Sequence, residues 1–373
     1  MRIFTPAYTL VAKEEAPEPV AKVTRAVLAA SARAARFALG GMNSVLITGG
    51  TGSLGRALIR HYLTTPVARI AILSRDEWKQ AMLAKELTDD RIRWFLGDVR
   101  DPERLEMAFH GIDTVIHAAA LKRIDRVAYD PSEVIKTNVI GTQNVIHAAI
   151  KAGVKKMLVV SSDKAVEPTN IYGASKMCAE WLAVMSNVYS YPRGTRVSVV
   201  RYGNVIGSRG SVAELWEEAV KAGLPIQITD ERCTRFFITM PQAVQFIEDA
   251  LVLMDGGEIF VPDLPSMRIT DLADAVAPGH ARFITDLRPG GEKLHEKLLN
   301  AEEATRTGQC LPGGMPDTDI HRIVYIIKPA LNYWGGQFLG HIPVPPDWVY
   351  SSDRNTRWLS VEDMRTLLAQ GRN

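Results

Sequence analysis

The chain has 373 residues and a formal net charge of +2 at pH 7, with 44 Lys and Arg set against 42 Asp and Glu. That length allows a large core in one or two lobes, and the lack of any basic tract excludes nucleic acid as the main partner. Three scattered cysteines, Cys178, Cys233 and Cys310, fit neither a disulfide framework nor a zinc site and point to a reducing, cytoplasmic setting; no apolar run is long enough to span a bilayer.

Residues 1–41 form an N-terminal extension. Polar Lys13–Pro19 precedes Val20–Leu39, which is rich in Ala and Arg and has no acidic residue. Its composition is that of a transit peptide or a membrane-surface helix, but Glu14, Glu15 and Glu18 argue against a transit peptide and favour an ordinary helical or disordered extension, with a partner or membrane contact as the alternative. From Ser44 onward, short apolar strands alternate with helical patterns. Strands are predicted at Val45–Thr48, Ile70–Leu73, Ile92–Phe95, Thr114–His117, Lys156–Val160 and Val197–Arg201, and helices at Leu54–Tyr62, Glu133–Lys151 and Ile171–Val188. This alternation predicts the α/β class, a doubly wound, Rossmann-type parallel sheet that binds ligands beyond the carboxyl ends of its strands. After Gly203 the pattern loosens, and Pro225, Pro262, Pro265 and Pro289 break the chain into short elements, which reads as a smaller C-terminal substrate lobe. The predicted division is a cofactor domain over 42–202, with a return segment at about 236–256, and a substrate lobe made mainly by 203–373. The chain ends in a short helix, with Ser360 and Asp363 spaced as a capping box.

Thr48–Gly55 reads TGGTGSLG, after a strand and at the start of a helix. Glycine at Gly49, Gly52 and Gly55 permits a tight turn and brings the backbone of Thr51, Ser53 and Leu54 against a pyrophosphate at the helix N-terminus. The second strand ends in Ser74, Arg75 and Asp76, followed by Lys79. Arg75 offers a planar fork to a ribose 2′-phosphate and Lys79 adds charge, whereas Asp76 offers a ribose 2′-hydroxyl a carboxylate; the balance favours NADP over NAD. Asp98 and Val99 follow the third strand and suit the adenine, and Ala118, Ala119 and Ala120 after the fourth keep the backbone close to the cofactor.

Residues 161–176 read SSDKAVEPTNIYGASK. Tyr172 and Lys176 are about one helical turn apart and share a face. An ammonium beside a phenol favours the phenolate, so Lys176 would make Tyr172 a usable base. Ser162, Asp163 and Lys164 follow the strand Lys156–Val160 and add a second acid/base pair in the same place.

Together these residues resemble the extended short-chain dehydrogenase/reductase superfamily, and more closely the inverting, 5-epimerising UDP-N-acetylglucosamine 4,6-dehydratases that open pseudaminic acid synthesis. TGGTGSLG, HAAALK, KTNVIGTQNV, SSDKAVEPTNIYGASK, RYGNVIGSRGSV, ITDERCTRFFIT and RPGGEKLHE match that family's pattern in order, across about Met42 to Leu367. The Asp-Lys pair with Tyr172 points to the inverting group. The chain departs from the pattern at Cys233, where Met is frequent, and at an extra glycine, Gly290 or Gly291, which bears on how Arg288 is aimed.

The resemblance implies a UDP-sugar substrate, a homo-oligomer, and a role for Asn138 beside the cofactor. It implies that Tyr172 removes the proton of the sugar 4-hydroxyl and that Ser162 positions this oxygen. Neutral Lys164, its pKa lowered by burial near Lys176, takes the C5 proton, and Asp163 protonates the departing 6-hydroxyl. For the nucleotide sugar, Lys122, Asn204, Arg209 and Ser211 are candidates, Arg235 and Arg288 suit the diphosphate, and Glu292 matches the family segment. His295 has no second ligand at metal-binding spacing, so no metal is expected. An epimerase without water loss, a dehydratase ending at another product and a non-catalytic NADP sensor are the rival readings.

Overall fold

The computed structural model describes residues 42–123, 129–190, 194–287, 291–310, 324–336 and 342–370; the extension and Arg288 lie outside them. Ser44–Thr48 (β1) is buried at all five positions, as a strand covered on both faces must be. It pairs in parallel with Arg69–Ser74 (β2) and Thr114–His117 (β4). Ile92–Leu96 (β3) joins β2, while Lys156–Val160 (β5) and Arg196–Val200 (β6) continue from β4. The crossovers include helices Ser53–Leu63 (α1), Glu77–Glu86 (α2), Pro102–Phe109 (α3), Gly141–Ala152 (α4) and Ile171–Met185 (α5). Register places Thr48 opposite both Leu73 and His117, and His117 opposite Val159. The carboxyl ends of β1, β2, β4 and β5 therefore open on one edge, where the predicted motifs lie.

Two predicted helices differ from those observed, each for a local reason. The run expected to be one helix over Glu133–Lys151 passes through a π-helical segment, Ile135–Ile140, before α4. Thr142 Oγ1 donates to Asn138 O at 2.7 Å within that widened turn. The helix expected to reach Val188 breaks after Met185 and resumes as a short turn, Asn187–Ser190; at the break the Asn187 side chain donates to Val184 O and Val197 O at 2.8 Å each.

Beyond β6 the chain alternates between two bodies. Asn204–Val205 (β7), Thr234–Ile238 (β9) and Ser266–Arg268 (β11) form a small sheet; Ile226–Ile228 (β8) pairs with Arg282–Ile284 (β12). With helices Val212–Lys221 (α6), Ile269–Val276 (α8) and Val361–Gln370 (α9), these strands enclose a second core around Trp216, Ile228, Phe237, Met267 and Met364. The α9 capping box is present: Asp363 N donates to Ser360 Oγ, and Ser360 N to Asp363 Oδ2. Helix Met240–Leu253 (α7) and Ile259–Pro262 (β10) return to the large sheet, where β10 lies parallel to β6. Thr307–Cys310 (β13), Val324–Ile327 (β14) and Ile342–Pro343 (β15) extend that sheet antiparallel, to ten strands among the described residues. The C-terminal part of the chain thus supplies sheet as well as lobe.

Arg201 fastens this return. It is 1% exposed and donates to Glu180 on α5 at 2.6 and 3.0 Å, to Glu303 at 2.8 and 3.0 Å, and to Leu298 O at 2.9 Å. Removing the cation strands two buried carboxylates. Arg201→Leu is expected to lower stability by about 3–5 kcal/mol in urea unfolding at pH 7; a loss below about 1 kcal/mol would show the network to be dispensable.

Candidate active site

The aligned strand ends and the second lobe enclose a cleft of about 1340 Å³. At one end is the glycine turn. Gly49 has φ +71°, and a Cβ there would lie 2.9 Å from the Ala119 backbone; a Cβ at Gly55 would lie 2.4 Å from Gly50 Cα. The turn therefore packs hard against Ala118 and Ala119, leaving its outer side to the cleft. Gly49, Thr51, Gly52, Ser53, Leu54 and Gly55 all line it, as do Ala118, Ala119, Ala120 and Val99. No side chain caps α1, so its N-terminal amides suit a pyrophosphate. Ser161 Oγ and Thr137 Oγ1 are buried without hydrogen-bond partners, on residues that line the cleft. These orphan atoms and the glycine cradle fit a dinucleotide.

Ser74, Arg75, Asp76 and Lys79 also line the cleft. Asp76 is engaged locally: it caps α2, accepting from Lys79 N at 2.9 Å and from Lys79 Nζ at 2.6 Å, and these bonds hold its carboxyl below the usual range. Arg75 is half-exposed, with Nη1 3.8 Å from Asp98 Oδ2. Asp98 stands back from the cleft lining, gripped by Arg100 at 2.7 and 3.0 Å. Asn138 is also set back. It donates to Leu121 O at 2.9 Å and Ser175 Oγ at 3.0 Å and accepts from Leu121 N at 2.8 Å, which fixes the Leu121 turn against α5.

The 161–176 residues converge on the cleft floor. Ser162, Lys164, Tyr172 and Lys176 line it, with Asp163 buried behind them. Ser162 Oγ donates to Asp163 Oδ1 at 2.7 Å, and Lys164 Nζ donates to the same oxygen at 3.0 Å. Asn170 caps α5 by accepting from Gly173 N at 2.9 Å, which sets Tyr172 and Lys176 on the helix's inward face.

The electrostatics differ from the sequence reading at two residues. Lys164 was predicted to be neutral. Burial works toward that, but Asp163 and Glu296, with Oε1 3.4 Å from Nζ, outweigh it and raise its pKa above the ordinary lysine value. Lys176 was predicted to favour the Tyr172 phenolate. Its Nζ instead donates to Val160 O at 2.6 Å, and burial pushes its pKa down to about 8. Burial raises the Tyr172 pKa, and the charge that counters this is that of Lys164, helped by a hydrogen bond with Ser162. Burial likewise raises Asp163, against Lys164 and with Glu296.

Lys122, Asn204, Arg209, Ser211, Arg235 and Glu292 all line the cleft. Ser211 also caps α6, accepting from Glu214 N, and Arg209 N donates to Ser53 Oγ at 3.2 Å, bridging the second lobe to the glycine turn. Arg235 is buried and paired with Glu292 at 3.0 Å. His295 Nδ1 lies 2.9 Å from Thr234 Oγ1, and no cluster of metal-ligating side chains occurs among the described residues.

Sequence reasoning named Glu292 and His295 in the segment Gly291–Lys297 but missed that this segment braces the turn between Lys164 and Tyr172. Gly291 O accepts from Thr169 Oγ1 at 2.8 Å and Asn170 Nδ2 at 2.9 Å. Lys293 Nζ donates to Val166 O and Lys297 Nζ to Glu167, both at 2.5 Å. Glu296 reaches Lys164. Gly291 has φ +103°, and a Cβ there would lie 2.1 Å from Thr169 O. The extra glycine in RPGGEKLHE was the visible signal of this close approach.

A model of the polysaccharide biosynthesis protein family matches residues 45–311. The chain is 40% identical to a protein of Campylobacter jejuni named UDP-N-acetylglucosamine 4,6-dehydratase (inverting), over 87% of this chain and 97% of the other. It is 36% identical to a Rickettsia conorii protein named UDP-glucose 4-epimerase, over 87% and 95%. A solved dTDP-glucose 4,6-dehydratase from Streptomyces venezuelae, with NAD bound, superposes with a TM-score of 0.60 at 25% identity, over 67% of this chain and 86% of the other. With this match and the Rossmann-type cleft, the chain belongs to the polysaccharide biosynthesis protein family, alongside the inverting UDP-N-acetylglucosamine 4,6-dehydratases.

Proposed function

We propose that this protein is a nucleotide-sugar 4,6-dehydratase that uses NADP, converts UDP-N-acetylglucosamine to a 4-keto-6-deoxy sugar and inverts C5. The observation that carries this reading is the Asp163–Lys164 pair on the same cleft floor as Tyr172 and Lys176. A redox-only sugar epimerase needs the tyrosine and lysine; elimination of water needs a further acid and base. The 40% identity to a protein named for this reaction supports it.

A nicotinamide held against the glycine turn, Ala118–Ala120 and Lys176 would supply hydride transfer, from sugar C4 and back to C6. The remaining steps fall to side chains. Tyr172 takes the 4-hydroxyl proton, and Ser162 holds that oxygen. The C4 ketone then makes the C5 proton acidic. Lys164 becomes a base by passing a proton across the 3.0 Å contact to Asp163, a transfer that creates the amine and the carboxylic acid together. Lys164 takes the C5 proton, Asp163 protonates the 6-hydroxyl, and water leaves. A proton returned to the opposite face of C5, with Tyr172 as donor, inverts that centre.

The relative named UDP-glucose 4-epimerase, at 36% identity, supports a second reading, inversion at C4 with no water lost. Proton NMR of the holoenzyme with UDP-N-acetylglucosamine in D2O separates the two. A 4-keto-6-deoxy product carrying deuterium at an inverted C5 is expected; a product of unchanged mass apart from deuterium would establish the epimerase. Lys164→Ala is expected to lose about 100-fold or more in dehydration while retaining NADP, and turnover within about twofold of the parent would remove Lys164 as the C5 base. Arg75→Ala is expected to weaken NADP about tenfold and leave NAD nearly unchanged in calorimetric titration. Equal loss for both cofactors would assign Arg75 to a contact they share.

A further inference from the structure

A short link joins the two halves of the cleft floor. Ser162, Asp163 and Lys164 follow the end of β5, Tyr172 and Lys176 open α5, and Val166–Asn170 runs between them. The fit is close: a Cβ at Gly173 would lie 2.3 Å from Lys164 O and 3.0 Å from Pro168 Cβ. A shift of the link therefore moves Lys164 against Tyr172. Glu167 sits within it at φ +46°, the only non-glycine position with positive φ among the described residues. Such a conformation is costly for a residue with a Cβ and persists only where the surroundings fix it. Among the described residues, the hydrogen bonds that reach the link from distant elements come from the Gly291–Lys297 segment. Lys293 Nζ donates to Val166 O and Lys297 Nζ to Glu167 Oε2, at 2.5 Å each, and Gly291 O accepts from Thr169 and Asn170. Lys297 has a firm base: it opens the strand Lys297–Leu299, which pairs antiparallel with Tyr350–Ser351, and Arg201 holds Leu298 O.

We propose that Glu167 is a positioning residue for the reaction: its ion pair with Lys297 holds the left-handed turn that sets Ser162 and Lys164 against Tyr172. The chemical step then depends on a contact outside the cleft, since neither Glu167 nor Lys297 lines it. The inference rests on the dehydratase reading, in which one sugar is worked on from both ends of the link, by Tyr172 at the 4-hydroxyl and by Lys164 at C5. These are neighbouring positions on one ring, so displacing one side chain relative to the other is felt at the reacting atoms. The pair itself is partly exposed, at 51% for Glu167 and 32% for Lys297, and an ion pair so placed ordinarily adds little to stability. A glycine would adopt the same φ without strain but would offer Lys297 no carboxylate. Stability and positioning therefore ask for different residues at this position, and that opposition makes the proposal testable.

Lys297→Met and Glu167→Gly are read in the holoenzyme with UDP-N-acetylglucosamine. Each is expected to lower kcat for dehydration about tenfold or more while KM stays within about twofold of the parent, and Lys297→Arg is expected to keep the parent kcat. Glu167→Gly is expected to do this with an unfolding midpoint at or above the parent's, because glycine relieves the backbone. A kcat within about twofold of the parent in both variants would overturn the inference. So would a kcat that falls only in step with the unfolding midpoint. Hydrogen exchange read by mass spectrometry tests the brace without turnover: peptides covering 163–174 are expected to exchange about tenfold faster in Lys297→Met than in the parent holoenzyme, and unchanged exchange would also sink the proposal. A parent that releases no dehydrated sugar would instead overturn the dehydratase reading.

Discussion

An ammonium largely removed from water can stay charged only beside a negative partner, and Lys164 has two. This constraint organises the site. Asp163 reaches Lys164 from the adjacent position in the chain, at the end of β5. Glu296 reaches it from the other body of the protein, so the charge balance of the cleft floor exists only once the C-terminal part has folded onto the sheet. The sign of the Lys164 shift depends on that assembly. With Asp163 and Glu296 in place, burial alone no longer decides the protonation of the pair.

The Gly291–Lys297 segment serves the same end mechanically. Between Lys164 and Tyr172 the chain must turn from the end of β5 into α5, and it does so with Glu167 at φ +46°, a conformation costly for a residue with a Cβ. Lys293, Lys297 and Gly291 hold Val166, Glu167, Thr169 and Asn170 in that path. Asn170 in turn caps the helix that presents Tyr172. The strained turn, the cap and Tyr172 are thus supported from outside their own segment, and Arg201 ties the chain just beyond, at Leu298 and Glu303, to the same helix through Glu180.

What was legible in the sequence was whatever depends on neighbours in the chain. The apolar runs located β1 to β6 to within a residue, since central strands buried on both faces read as continuous apolar runs and the edge strand β3 keeps an apolar stretch between turns. The glycine turn and the Tyr172–Lys176 spacing identified the two ends of the cleft for the same reason. Helix ends were less legible where a side chain competes for the backbone, as Asn187 does after Met185. Least legible were contacts between distant segments. Nothing local to Lys164 announces Glu296, and nothing local to Lys176 shows that its ammonium will be taken by Val160 O. Family resemblance supplied the expected roles of Lys164 and Lys176, but their protonation follows from packing that only the folded chain displays.

The cofactor end of the cleft shows the same competition between local and ligand bonding. A carboxylate at the end of β2 suits a ribose hydroxyl only if it is available, and Asp76 already accepts two bonds from Lys79 while starting α2. A dinucleotide with a bare ribose would have to draw on a group committed to the helix it caps. Arg75 carries no such commitment: it is half-exposed, and its approach to Asp98 is 3.8 Å, too long for a hydrogen bond. An incoming 2′-phosphate would therefore meet a guanidinium that loses little by turning toward it, and that asymmetry in local cost supports the proposed preference for NADP over NAD.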